Sequence, residues 1–418
     1  MLEEILSRPN MKAAYERVVS NKGAAGVDKM SVDALLVHLQ GHWPSIKQEL
    51  ITGTYIPQAV RKVEIPKPNG GKRMLGIPTV TDRLIQQAIA QQLTAMYDCG
   101  FSESSYGFRP SRSAHQAVRQ ARSYLNEGYT FIVEMDLEKF FDKVNHDKLM
   151  TILSRRIEDK MLLKLIRRYL KSGIMEGGVM SVRTEGTPQG SPLSPVLSNI
   201  LLDELDKELE SRGHRFVRYA DDVSIYVRSQ RAADRTLAGV TSYLEENLLL
   251  KVNKEKSKVS RPSKSNLLGF TFGKVEGKWE PMLSSKTKSR IKEKIKTVTS
   301  RRISIRLEDR LRKLAQVSIG WCSYFALSKS KKFMTRLDEW TRFRIRMCIW
   351  KSWKYPRTRV GELIKLGMDK FKAHLNGNTR KGYCRIAHSG ILHHTLTNDY
   401  LEKLGFQPLL KYYESCHV

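Results

Sequence analysis

The sequence predicts an α+β protein, with an antiparallel sheet backed by helices over its first two thirds and a helical region after it. Three observations carry that prediction. Short apolar or alternating runs, such as Phe131-Ile132-Val133-Glu134-Met135 and Phe216-Val217-Arg218, have strand length and lie between stretches with helical spacing. Two strand-like runs flank a tight acidic turn, Tyr219-Ala220-Asp221-Asp222. Beyond about residue 280 the spacing becomes helical and the composition strongly basic.

The elements follow in order. Met11 to Val19 and Val32 to Leu50 carry apolar positions three and four apart and read as helices, joined by the glycine-punctuated loop Asn21 to Asp28. Arg61 to Arg73 holds two prolines and Asn69-Gly70-Gly71 within alternating residues, which suggests a hairpin with a basic tip. Asp82 to Met96 and Asp147 to Leu170 read as helices, Phe131 to Asp136 as a strand, and Leu267 to Phe270 as another. From Ser284 onward helices carry Trp321, Tyr324, Phe325, Trp340, Trp350 and Trp353 among cations, with Trp350 and Trp353 expected to be the less buried tryptophans. A domain boundary falls near 280.

At roughly 100–200 residues per domain, 418 residues suggest two to four domains. Hydrophobic residues make up 40% and charged residues 28%, which fits a folded chain. There are 73 Lys and Arg against 43 Asp and Glu, a net charge of +30. Residues 281–360 alone hold 23 basic and 5 acidic side chains, more than half of that excess. Such a charge is usually balanced by a polyanion, and nucleic acid leads. No run reaches the ~18 apolar residues of a spanning helix, and the Met1–Asn10 segment lacks the pattern of a secretion signal. No membrane partner and a bacterial cytoplasmic location are expected. The cysteines, Cys99, Cys322, Cys348, Cys384 and Cys416, are scattered without Cys-x-x-Cys spacing and read as small hydrophobes in a reducing compartment.

Four pieces carry chemistry. Asp221 and Asp222 at a hairpin tip repel each other, and a divalent cation removes that penalty. Alone, such a pair is a common solvated loop. Asp136 ends an apolar strand, where its carboxylate can meet another strand's tip. Two-metal phosphoryl transfer needs ligands converging from separate elements. Gly186-Thr187-Pro188-Gln189-Gly190-Ser191-Pro192-Leu193-Ser194-Pro195 combines glycines for close approach, prolines for rigidity and the two-way hydrogen bonding of Gln189. Arg61, Lys67 and Arg73 place cations on the hairpin, where they could clamp a triphosphate.

In order and spacing these pieces resemble the polymerase motifs of group II intron-encoded reverse transcriptases, or maturases, of the compact bacterial type. The resemblance takes in Asn21 to Asp28, Ile65-Pro66-Lys67-Pro68, Gly76 to Arg83 and Ser105-Tyr106-Gly107-Phe108-Arg109-Pro110. It continues through the Asp136 segment, Gly186 to Pro195, Tyr219 to Asp222, Leu268-Gly269-Phe270 and Gly320-Trp321-Cys322-Ser323-Tyr324-Phe325.

The resemblance implies a right-hand polymerase fold. Fingers and palm would span 1–280, with an N-terminal extension of about 1–55. A helical thumb or maturase domain would span 281–365 and a small DNA-binding-like segment 366–418, with no endonuclease domain. It implies RNA-directed DNA synthesis with two Mg²⁺ ions per site, Mn²⁺ remaining open. Implied partners are group II intron RNA, an RNA template with a DNA primer, dNTPs and target DNA. The chain would act as a monomer or homodimer.

Asp136, Asp221 and Asp222 would be the catalytic, metal-binding carboxylates. Lys67, Arg73, Gln189, Arg61 and Lys256 would meet the nucleotide, Lys256 as donor to the leaving pyrophosphate. Phe141 would be the gate against a 2′-hydroxyl. Arg342, Arg344, Arg346, Lys351, Lys354, Arg380 and Lys381 would contact RNA or DNA. Ser191 departs from the family's usual second glycine, and its hydroxymethyl group would tighten or shift the pocket around Gln189. Three rivals stay open: a splicing maturase whose polymerase is secondary, an RNA-copying RNA polymerase, and a relative recruited to defence or repair.

Overall fold

The computed structural model describes residues 1–416 apart from 67–69, 177–178 and 182–184. The strands of the expected hairpin pair. Val60–Pro66 (β1) pairs antiparallel with Lys72–Ile77 (β2), with Arg61 opposite Ile77 and Pro66 opposite Lys72. Lys67 lies outside the described residues. Phe131–Met135 (β3) starts a separate sheet, while Ile174–Glu176 (β4) lies parallel to β1 and pairs antiparallel with Val179–Ser181 (β5). The second sheet completes with Arg215–Tyr219 (β6), Asp222–Val227 (β7) and Lys258–Ser260 (β8), in the order β6-β7-β3-β8, every pair antiparallel.

Helices cover this sheet because its strands bury large apolar residues. Val133, Phe216 and Ile225 are sealed in one core with Leu197, Leu201 and Leu205 of the Ser194–Ser211 helix and Leu84, Ile85, Ile89 and Leu93 of the Val80–Tyr97 helix. The latter begins two residues before the expected start. Thr79 caps it by accepting from the Asp82 N–H, and the buried Asp82 carboxylate accepts from the Tyr55 hydroxyl at 2.8 Å and Thr79 Oγ1 at 2.7 Å. The single helix expected over Asp147 to Leu170 is two, His146–Ser154 and Lys160–Lys171. Each has its own side-chain cap, Asn145 and Asp159, so the second is a fresh start.

The chain divides into two compact units, Met1–Pro262 and Ser263–Val418. The division comes before the boundary expected near 280, because a hairpin belongs to the second unit. Phe270–Val275 (β9) and Lys278–Leu283 (β10) pair around Glu276 and Gly277, both at positive φ as a tight two-residue hairpin turn requires. Phe270 packs against Tyr324 and Phe325, and Leu283 joins the helical core. The strand expected at Leu267 to Phe270 thus begins only at Phe270.

Helices Ser285–Val298, Leu307–Phe325 and Lys331–Ser352 build that second core. Residues 366–416 add short helices whose Leu392, Leu401, Phe406 and Tyr413 sit in the same core, so the tail is not a body of its own. Trp350 and Trp353 are 1% and 9% exposed, against expectation. Their rings meet edge to face, and the Arg359 guanidinium covers Trp350. No helix among the described residues is long and apolar enough to cross a membrane.

Candidate active site

Asp136 follows the last residue of β3. Its backbone is pinned by the 251–257 segment: its N–H donates to Ser257 Oγ at 3.0 Å, and its carbonyl accepts from the Asn253 N–H at 2.8 Å. The β3–β7 register sets Met135 opposite Val223, so one step further along brings Asp136 level with Asp222. Pairing alone therefore brings the two separated acidic stretches to one end of the sheet.

The turn between β6 and β7 is held from behind. Ala220 has φ +58°, a left-handed conformation unfavourable to a residue with a Cβ. Arg218, fully buried, donates to both Asp206 carboxylate oxygens at 2.5–2.9 Å, to Asn199 Oδ1 at 2.9 Å and to the Ala220 carbonyl at 3.1 Å. Burial raises the Asp206 carboxyl above its usual range, and the Arg218 guanidinium works against that rise. Asn199 Nδ2 donates to the Gly107 carbonyl at 2.9 Å. Gly107 must be glycine, since a Cβ there would lie 2.2 Å from the Ala220 nitrogen.

The carboxylates are crowded. Burial and then the Asp136 charge raise Asp221 above the ordinary range, with Arg73 and Arg218 opposing. Asp222 keeps solvent access on one side, but the chain around it, with Asp221 and Asp136, pushes it up to about 6. Lys256 Nζ meets Asp136 at 3.1 Å. All the donors are oxygens, which suits a hard divalent cation, and the repulsion that remains between the carboxylates is what such a cation removes. Among the described residues no three Asp, Glu, His or Cys side chains close around one point as a complete cage. Mg²⁺ is commonly held by one or two carboxylates together with substrate phosphates.

Asp136 and Asp221 line a cleft of about 1460 Å³ with Arg73, Phe141, Gln189 and Lys256. Arg73 Nε donates to Gln189 Oε1 at 2.8 Å, and the Gly76 N–H to the Gln189 carbonyl at 2.8 Å, tying β2 to the 186–195 loop. Gly186 has φ +86°, and a Cβ on it would lie 2.7 Å from the Asp142 backbone, so the loop presses against the Phe141 segment. Phe141 is half-buried, edge-on to the buried Phe140. Ser191 Oγ donates to Gln86 Oε1 at 2.6 Å and accepts from the Leu193 N–H, so the hydroxyl anchors the loop to the Val80–Tyr97 helix.

Arg61 is half-buried and does not line the cleft. In the second unit several of the cations expected at nucleic acid hold the chain's own backbone. Arg346 is 3% exposed and donates to the Leu396 carbonyl and Asn398 Oδ1. Arg344, half-buried, donates to Thr299 Oγ1 and to the Thr299 carbonyl, and Lys351, though exposed, donates to the Arg301 carbonyl. Lys354, Arg380 and Lys381 are exposed and Arg342 partly so. Asp206, Asn199 and Gln86 were missed by sequence reasoning. A signal did exist for one partner, because an arginine inside an apolar strand must find a buried acid.

Two family models match. "Reverse transcriptase (RNA-dependent DNA polymerase)" covers residues 65–272, and "Group II intron, maturase-specific domain" covers 288–367. Protein YkfC of Escherichia coli (strain K12) is 32% identical over 62% of this chain and 78% of its own length. Group II intron-encoded protein LtrA of Lactococcus lactis subsp. cremoris is 40% identical over 49% of this chain, a match that spans 34% of LtrA. A solved structure titled "Partial Cas6-RT-Cas1--Cas2 complex" matches with TM-score 0.38 and 26% identity, over 59% of this chain and 42% of that one. By its paired domains and by its likeness along most of YkfC, the chain belongs to the group II intron reverse transcriptases, a family of RNA-directed DNA polymerases that carry a maturase-specific domain.

Proposed function

We propose that this chain extends a DNA primer on an RNA template with dNTPs, and that it binds a folded group II intron RNA to assist its splicing and retrohoming. The observation that carries the first half is the meeting of Asp136 with Asp221 and Asp222 at one end of the sheet, where Asp136 and Asp221 line a cleft that also holds Arg73 and Gln189.

Asp136 and Asp221 would hold two divalent cations, with Asp222 beside them. When bound, such ions lower the pKa of the primer 3′-hydroxyl and neutralise charge on the leaving pyrophosphate. The chain's own groups do the rest. Arg73, fixed by Gln189, points a guanidinium at the triphosphate. Phe141 takes up the space beside the sugar's 2′ carbon. Lys256, which pairs with Asp136, would give a proton to the pyrophosphate oxygen once substrate draws it away. The excess cations of the maturase-specific region and the tail, Arg342, Lys354, Arg380 and Lys381 among them, suit the phosphates of a structured RNA.

The test is primer extension on an RNA template, with and without Mg²⁺. Asp221→Ala and Asp136→Ala should each lower extension by about a hundredfold or more, while affinity for the intron RNA stays within about twofold. Retained extension in either variant would remove the proposal's foundation.

A further inference from the structure

A second groove, of about 890 Å³, continues from the cleft and shares Arg73, Phe141 and Gln189 with it. Arg17 and Arg73 are exposed along this groove, Arg83 and Arg109 are buried in its wall, and none of its described lining residues is an Asp or Glu. Phe108 stands in it with 53% of its surface exposed. A large ring left in water serves no packing purpose. The backbone that presents it is also costly, for Phe108 has φ +58°. Conformations of that kind persist only where the surroundings over-determine them.

They do so here. The residue before Phe108 is Gly107, pressed against the backbone of Ala220 in the acidic turn and held by Asn199. The Tyr106 N–H donates to the Arg218 carbonyl at 2.9 Å. The residue after is Arg109, whose guanidinium donates to Asp98 Oδ1 at 2.7 Å and to the carbonyls of Ser102 and Ser105 at 2.6 and 3.1 Å. The loop is fastened on both sides of Phe108, and the fastening on one side is the catalytic turn itself.

We propose that Phe108 is a stacking platform for an unpaired base of the template strand, just ahead of the nucleotide being copied. The proposal rests on the reading of the chain as a polymerase. Aromatic rings hold single-stranded bases irrespective of sequence, because every base offers a π face. A groove with arginines and without carboxylates suits the strand's phosphates. Continuity with the cleft through Phe141 and Gln189 directs that strand to the insertion position, and the Gly107–Ala220 contact keeps the stacked base in register with the acidic turn.

The experiment uses the full chain and primer–template duplexes with 2-aminopurine at the first, second or third unpaired template position. Stacking quenches its fluorescence on binding, without any need for catalysis. Wild type and Phe108→Tyr should quench one of these positions, and Phe108→Asn should not. Asparagine tolerates the left-handed conformation, so this variant removes the ring and keeps the turn; an unchanged melting temperature checks that.

An abasic site at the quenched position in wild type needs no variant. It should weaken binding about fivefold or more, as should Phe108→Asn, and the two losses should not add. Undiminished quenching in Phe108→Asn, or additive losses at every position, overturns the proposal. If wild type extends no primer yet quenching follows Phe108, the polymerase reading fails and the platform stands. If extension is normal and quenching is indifferent to Phe108, the platform fails and the polymerase reading stands.

Discussion

Arg218 and Asp206 form a two-pronged ion pair with no solvent access, and the same guanidinium reaches the Ala220 carbonyl inside the acidic turn. A buried pair broken on one side leaves the other charge stranded. Arg218→Met should therefore destabilise the first unit by about 3–5 kcal/mol. The double variant with Asp206→Leu should recover much of that loss, while polymerase activity stays low because the turn has lost its tether. Chemical denaturation of the four combinations, with primer extension on each, checks both halves.

Asp222 yields a pH prediction. Its folded pKa, up to about 6, lies above the ordinary 3.8, so ionising it opposes folding. The penalty is absent below about pH 4, grows as pH rises between the two values, and is complete above about 6. Without metal, Asp222→Asn should melt higher than wild type at pH 7.5 and equally at pH 4. Adding Mg²⁺ at pH 7.5 should raise the melting temperature of wild type more than that of the variant. A wild-type advantage at pH 7.5 without metal would contradict the sign.

Phe141 lines the cleft against Phe140. Removing its ring opens space where a 2′-hydroxyl would fit. Phe141→Ala should raise NTP use relative to dNTP use by roughly tenfold, in line with ~1–3 kcal/mol for one small group in a pocket. The measurement is the ratio of kcat/KM values for matched nucleotides. An unchanged ratio would assign Phe141 to the core alone.

The basic side chains of the second unit should separate into two classes. Arg346→Met should lower the melting temperature, because Leu396 and Asn398 lose their donor, and should leave the salt dependence of RNA binding unchanged. Replacing exposed Arg380 and Lys381 with glutamine should do the opposite. It should flatten the slope of log affinity against log salt by up to about 0.7–0.9 for each phosphate no longer neutralised.

The sequence was most informative where local patterns and chemistry coincide. The paired strands of the first hairpin and the acidic turn lie as their residue types suggested, and the strand expected over Phe131 to Asp136 forms but stops at Met135, one residue short of the aspartate. Less visible was anything decided by partners far along the chain. Nothing local says that Arg218 meets Asp206, that Ser191 reaches Gln86, or that Gly107 abuts Ala220. Composition also misled. The cation-rich helix Lys331–Ser352 looked like a nucleic-acid surface, yet Arg346 and Trp350 turn inward, because a helix in a multi-helix core presents only part of its circumference to water.

The β9–β10 hairpin bears on how the protein can be divided. A truncation at residue 280 would keep Leu283 with the helices but leave Phe270 and Phe272 behind, severing the strand pair and baring the ring cluster of Tyr324 and Phe325. A fragment starting at Ser263 keeps the ribbon whole, including the Leu267–Phe270 backbone pair that closes its base.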